Sequence, residues 1–211
     1  MRTLLAAILL VASPVAGAQD LSFHESIDLT GDEPRVGATD AGYTILQVSD
    51  WLCPHCGTMF TDLGAVVAEQ PDVAMIFKVY PLTTECNPSI GSSTHLARCT
   101  LAQAASCAHQ QGKWPEFAAY AFKNMNDLGE VTADSIGEHA KPIGLKTGKF
   151  TKCVAGELGG QQVLADAMEG GRLNISGTPT VFVQGPDKGG WYEVAGADGA
   201  AAKIAELREM E

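Results

Sequence analysis

The chain has 211 residues, 45% of them hydrophobic, with 14 Lys and Arg against 25 Asp and Glu and a formal net charge of −11. A surplus of that sign argues against nucleic acid and anionic membrane surfaces as partners. The length suits one domain with a sizeable core and room for an inserted subdomain.

The first residues read as a secretory signal. Arg2 supplies a charge, residues 4–12 an apolar core and Ala16-Gly17-Ala18 a small-residue cleavage site. The apolar run is too short to span a bilayer. Residues 1–18 are therefore expected to be removed, leaving a periplasmic or secreted chain. Residues 19–42 are polar and carry the turn residues Gly31, Pro34 and Gly37, which predicts an N-terminal arm. A strand over 43–49, a helix over 53–69 and a nearly all-apolar strand over 73–82 make a βαβ unit, so 43–82 is the first half of a sheet domain. From 83 to 174 the composition turns to Ala and helix formers, with helices expected near 95–111, 115–125, 133–140, 148–157 and 160–170. Strand character returns at 180–184 and 191–195, separated by Gly185-Pro186 and Gly189-Gly190, and a helix over 200–210 closes the second half, 175–211.

Six cysteines in an exported chain should mostly be oxidised. Cys99 and Cys107 lie on one predicted helix, eight residues and so about 12 Å apart, beyond a disulfide's Cα–Cα limit of about 7 Å. That leaves Cys86–Cys99 with Cys107–Cys153, or Cys86–Cys107 with Cys99–Cys153. The first is favoured, because Cys86 sits in a short loop that leads into the Cys99 helix.

The remaining pair lies in Cys53-Pro54-His55-Cys56, where a strand hands over to a helix. Unpaired N–H groups and the positive end of the helix dipole favour a thiolate at that point. Pro54 suits the first helical turn, where a missing N–H costs nothing. His55 adds positive charge when protonated. Cys56 comes one turn later, within bonding reach of Cys53. Trp51 is close enough to Cys53 to be expected in contact with a substrate.

A Cys-x-x-Cys at a strand–helix junction, followed by Gly177-Thr178-Pro179-Thr180 before a late strand, resembles the thioredoxin superfamily. Pro-His between the cysteines and a helical block between the halves of the sheet resemble its DsbA-like exported thiol–disulfide oxidoreductases. The resemblance implies an α/β thioredoxin-like fold with an inserted helical subdomain, and a cis Pro179 facing the cysteine pair. It also implies an extended substrate peptide pairing with the backbone at Thr178. Cys53 would attack and be attacked, and a more buried Cys56 would resolve the mixed disulfide. One departure stands out. The related patterns commonly carry a buried carboxylate six residues before the first cysteine, where this chain has Gln47; Asp50, another group or water would have to take its place. Thr178 before the proline is closer to exported isomerases and reductases than to the strongest oxidases.

The reading is therefore an oxidase, with an isomerase or reductase as the alternative within the class. A soft-metal binding or delivery protein using Cys53, Cys56 and His95 is the alternative from another class, weakened by the lack of Met-rich or His-rich stretches. No cofactor and no resident metal are expected. The expected partners are reduced or unfolded exported proteins. A membrane redox partner is implied by resemblance alone, and a monomer is expected because no dimerisation segment is evident.

Overall fold

A computed structural model describes residues 20–210; the predicted signal, 1–18, lies outside them. The elements run β1 Asp20–His24, β2 Arg35–Val36, β3 Tyr43–Ser49, α1 Pro54–Glu69 and β4 Val73–Val79. The helical block comes next: α2 Leu96–His109, α3 Trp114–Lys123, α4 Met125–Leu128, α5 Gly137–Ala140, a 3₁₀ turn Lys141–Ile143, α6 Thr147–Val154 and α7 Glu157–Arg172. Strands β5 Thr180–Gln184 and β6 Trp191–Val194 and helix α8 Gly196–Glu209 complete the chain. The six strands are ordered β1-β6-β5-β3-β4-β2. Only β3 and β4 run parallel, as the helical crossover through α1 requires.

Alternation along β3, which is buried throughout, sorts its side chains onto two faces. Tyr43 and Ile45 join Leu63 and Val67 of α1 and Ile204 of α8 in one core. Leu46 and Val48 join Ile76, Tyr80 and Phe182 in another. The helical block forms a third core around Leu101, Trp114, Phe117 and Phe150, which Phe77 and Val79 of β4 enter from the sheet. Helix α7 is held against β4 by the buried Lys78–Asp166 ion pair at 2.9 Å, and Val79 N–H donates to the same carboxylate at 3.1 Å. Burial pushes the Asp166 carboxyl up, against the opposing pull of Lys78. The approach here is close. A Cβ on Gly170 would fall 2.3 Å from the Tyr80 ring, so only glycine fits.

Several expectations need correction. The arm is not free of strands: β1 pairs with β6, and β2 pairs with β4. These are the two edges of the sheet, and their runs are too short for alternation to outweigh neighbouring turn residues. The helix expected over 133–140 is only Gly137–Ala140, continued by the 3₁₀ turn and ended by Gly144 at φ +74°. The helix expected over 115–125 stops at Lys123. There Asn124 donates its side-chain amide to the Tyr120 carbonyl at 2.7 Å, a local bond that competes with helix continuation. The closing helix starts at Gly196 rather than 200.

Of the two cysteine pairings, the structure has Cys86–Cys99 and Cys107–Cys153. The second ties α2 to α6 across 46 residues. Each bridge should contribute about 2–4 kcal/mol, chiefly by restricting the unfolded chain.

Candidate active site

The site is built where β3 ends. Cys53 is the residue before α1, with extended backbone (φ −96°, ψ 113°), and Pro54 occupies the first helical turn. Cys56 N–H donates to the Cys53 carbonyl at 3.0 Å, which closes the turn between them. Both sulfurs are free thiols. Cys53 retains 9% of its surface and Cys56 none. That difference decides which sulfur another molecule can reach. Cys53 is itself a buried residue, but it is the one of the two that keeps any exposed surface. Pro54 and His55 are exposed on the rim beside it.

Across from the pair, the loop before β5 brings in Thr178 and Pro179. Their peptide bond is cis. The Cys53 thiol donates to the Thr178 carbonyl at 3.4 Å. The loop is braced by Thr180, whose hydroxyl donates to the Gly177 carbonyl at 2.9 Å.

Burial pushes the Cys56 thiol up to about 12; the Thr178 hydroxyl, the Asp50 backbone N–H and the Ser49 hydroxyl pull the other way by favouring the thiolate. Cys56 is therefore protonated across the neutral range. Gln47 completes this surround. It is wholly buried, and its amide donates to Ser49 Oγ at 2.8 Å and to the Cys56 carbonyl at 3.0 Å. Its Oε1 has no partner among the described residues. Because Ser49 Oγ accepts from Gln47, its own proton is left for the Cys56 sulfur. Sequence reasoning singles out Gln47 but misses Ser49. The signal lies in the strand period, since residues two apart on β3 share a face.

Asp50 does not stand in for the absent carboxylate. It is 1% exposed, and its oxygens accept from Leu52 N–H at 2.7 Å, from Leu82 N–H at 2.8 Å and from the Arg98 guanidinium. Only its backbone N–H faces Cys56.

Trp51 is also corrected. It is 1% exposed and cannot touch a substrate. Its ring stacks on Phe77 at 5.0 Å and packs on Phe122 at 4.8 Å and Phe117 at 5.2 Å. It joins the cysteine loop to the helical block. His95 belongs to no metal-ligating group. Its backbone N–H donates to the Thr83 hydroxyl and to Glu85, the neighbouring Cys86 and Cys99 are bonded to each other, and no cluster of three or more metal-ligating side chains occurs among the described residues.

A Cys-x-x-Cys at a helix start, set against a cis-proline loop on a mixed sheet with inserted helices, defines a thioredoxin-like protein of DsbA-type architecture. Residues 29–189 match the family model described as Thioredoxin, and the chain belongs to that family. Its fold is similar to BdbD from Bacillus subtilis (TM-score 0.66, 19% identity, 89% of this chain and 95% of that one). It is similar to DsbA2 of Pseudomonas aeruginosa (TM-score 0.64, 19% identity, 89% and 94%) and to the catalytic domain of Proteus mirabilis ScsC (TM-score 0.59, 20% identity, 84% and 89%). Among curated sequences it is 25% identical over 189 residues to Na(+)/H(+) antiporter NhaA 3 of Salinispora tropica. It is 25% identical over 173 residues to Na(+)/H(+) antiporter NhaA 1 of Salinispora arenicola. The matches cover 87% and 80% of this chain but 26% and 24% of those proteins, so the chain spans about a quarter of the curated relatives it matches. No described helix of this chain is long and apolar enough to cross a membrane.

Proposed function

We propose that the chain is an exported protein thiol–disulfide oxidoreductase, acting as an oxidase on reduced or unfolded exported proteins. The observation that carries the reading is the asymmetry of the pair: a reachable Cys53 at a helix N-terminus beside a sealed, protonated Cys56. In the oxidised protein, a substrate thiolate attacks Cys53 Sγ. The Cys53–Cys56 bond breaks, a mixed disulfide forms, and Cys56 leaves and takes up a proton. A second substrate thiolate then attacks the substrate sulfur of the mixed disulfide, which releases Cys53. Two substrate thiols have become one disulfide, and the protein pair holds the two electrons. A membrane redox partner would remove them. In the mixed disulfide the Thr178 carbonyl no longer receives the Cys53 proton and is available to an N–H of an extended substrate backbone.

Equilibration of the Cys53–Cys56 pair against glutathione tests this. A potential near about −120 mV is expected of an oxidase; one near about −270 mV would place the protein with thioredoxin-like reductants and overturn the oxidase direction. Tight stoichiometric binding of Cu(I) by the reduced protein would favour metal delivery instead.

Ser49→Ala tests the surround of Cys56. Removal of one hydrogen bond to a developing sulfur anion should slow loss of a small thiol from a Cys53 mixed disulfide by about tenfold to a hundredfold. Alkylation of Cys53 should be unchanged. An unaltered release rate would show that the hydroxyl does not support Cys56.

A further inference from the structure

Beside the cysteine pair runs a trough of about 510 Å³, walled on one side by Pro54. Its apolar surface comes from Leu52, Phe122 and Met125, and its polar side chains are His95, Arg98, Lys123 and Asn126. No carboxylate lines it. In a chain with 25 acidic and 14 basic residues, that is a local reversal of charge next to the reactive sulfur.

The cations are placed for a ligand. Arg98 is fixed by the Asp50 carboxylate through Nη1, yet its Nε is buried with no acceptor among the described residues. A guanidinium has five N–H donors in a fixed fork, suited to a carboxylate. Lys123 is exposed and makes no ion pair among the described residues. Glu85 is engaged by the His95 backbone N–H and Asp50 by Arg98, and neither they nor Asp127 and Glu130 belong to the lining. The apolar part continues into a second trough that shares Pro54, Phe122, Lys123 and Met125 and reaches Phe60. Gly57 lets the wall come close: a Cβ there would lie 3.3 Å from Phe122 and 3.4 Å from the Met125 methyl.

We propose that this trough selects substrate segments carrying an Asp or Glu within a few residues of the reacting cysteine. The carboxylate is taken by Arg98 and Lys123 while the flanking stem lies on Leu52, Phe122 and Met125. Because Pro54 directly succeeds Cys53, and an extended peptide advances about 3.4 Å per residue, the trough faces the near neighbours of a cysteine bound to Cys53. The inference rests on the exchange reading above and names its preferred substrate.

The sign of the effect makes it testable. A protein of net charge −11 should, by its overall field, repel an acidic peptide and attract a basic one. The trough demands the reverse. Three dithiol peptides identical except for Glu, Gln or Lys two residues from the first cysteine are reacted with the oxidised full chain at low salt. The expected order is Glu above Gln above Lys, with about tenfold between the extremes, collapsing as salt screens the exposed charges. Lys123→Glu should invert the order. Lys149→Glu, an equal charge change on an exposed face of α6, should leave it intact. Equal rates for the three peptides, or an order that Lys123→Glu does not change, would overturn the proposal while leaving exchange itself standing. A protein that oxidises none of them overturns the exchange reading and this inference with it.

Discussion

Cys53→Ser is expected to abolish thiol–disulfide exchange, and Cys56→Ser to abolish oxidation of substrate thiols, since no Cys53–Cys56 disulfide can form, while leaving Cys53 able to attack a disulfide and form a mixed disulfide that Cys56 can no longer resolve. The two sulfurs sit three residues apart but in different surroundings. Cys53 keeps 9% of its surface exposed and has the Thr178 carbonyl 3.4 Å away, whereas Cys56 has no exposed surface. With Cys53 replaced, the remaining thiol is out of reach and protonated, so neither attack nor capture can occur at neutral pH. Turnover should fall to the uncatalysed level. With Cys56 replaced, Cys53 still reacts with disulfides, but the resolving sulfur is gone. Covalent adducts with substrates should accumulate and vanish on reduction. Non-reducing gels of cells expressing each variant, probed for the protein, check both outcomes. Adducts carried by Cys53→Ser through Cys56 would invert the assignment and contradict the burial of the second sulfur.

The parts of this site that are legible in the sequence share a physical basis. Cys53, Pro54 and Cys56 announce themselves because strand, proline and helix are contiguous in the chain, so local rules suffice. Gln47 is marked by resemblance, six residues before Cys53, whereas Ser49 is missed, although the two-residue period of β3 puts both on the α1 face with Cys56. Thr178-Pro179 is placed opposite by resemblance alone, since nothing local links residues 125 apart. The failures are of the other kind. Asp50 looks like a free acid until Arg98, 48 residues on, is folded against it. Strand β2 is two residues long and exists only because β4 offers it an edge. Trp51 reads as a substrate contact from its nearness to Cys53. Its burial comes from Phe77, Trp114, Phe117 and Phe122, which reach it only when the helical block closes over the sheet.

That closure makes Trp51→Ala the substitution with the largest expected cost in stability. The indole contacts four aromatic rings with centroids 4.8 to 6.3 Å away, contributed by β4 and the helical block. Removing a fully buried tryptophan loses its transfer free energy and leaves a cavity that a rigid aromatic cluster fills poorly, a cost of about 3–5 kcal/mol. Since whole domains are stable by about 5–15 kcal/mol, much of the folding free energy would go. Trp51→Phe separates packing from polarity. It keeps most of the aromatic surface and removes the indole N–H, which is buried without an acceptor among the described residues. An unsatisfied donor costs about 1–3 kcal/mol, so its removal offsets lost volume and Trp51→Phe should stay within about 1.5 kcal/mol of the parent. Urea denaturation of the disulfide-intact proteins measures both. If Trp51 met substrate instead, Trp51→Ala would keep its stability and raise the KM for peptides. An unfolding free energy lowered by less than about 1 kcal/mol, with weakened peptide binding, would return Trp51 to the surface role and remove the clamp between the cysteine loop and the helical block.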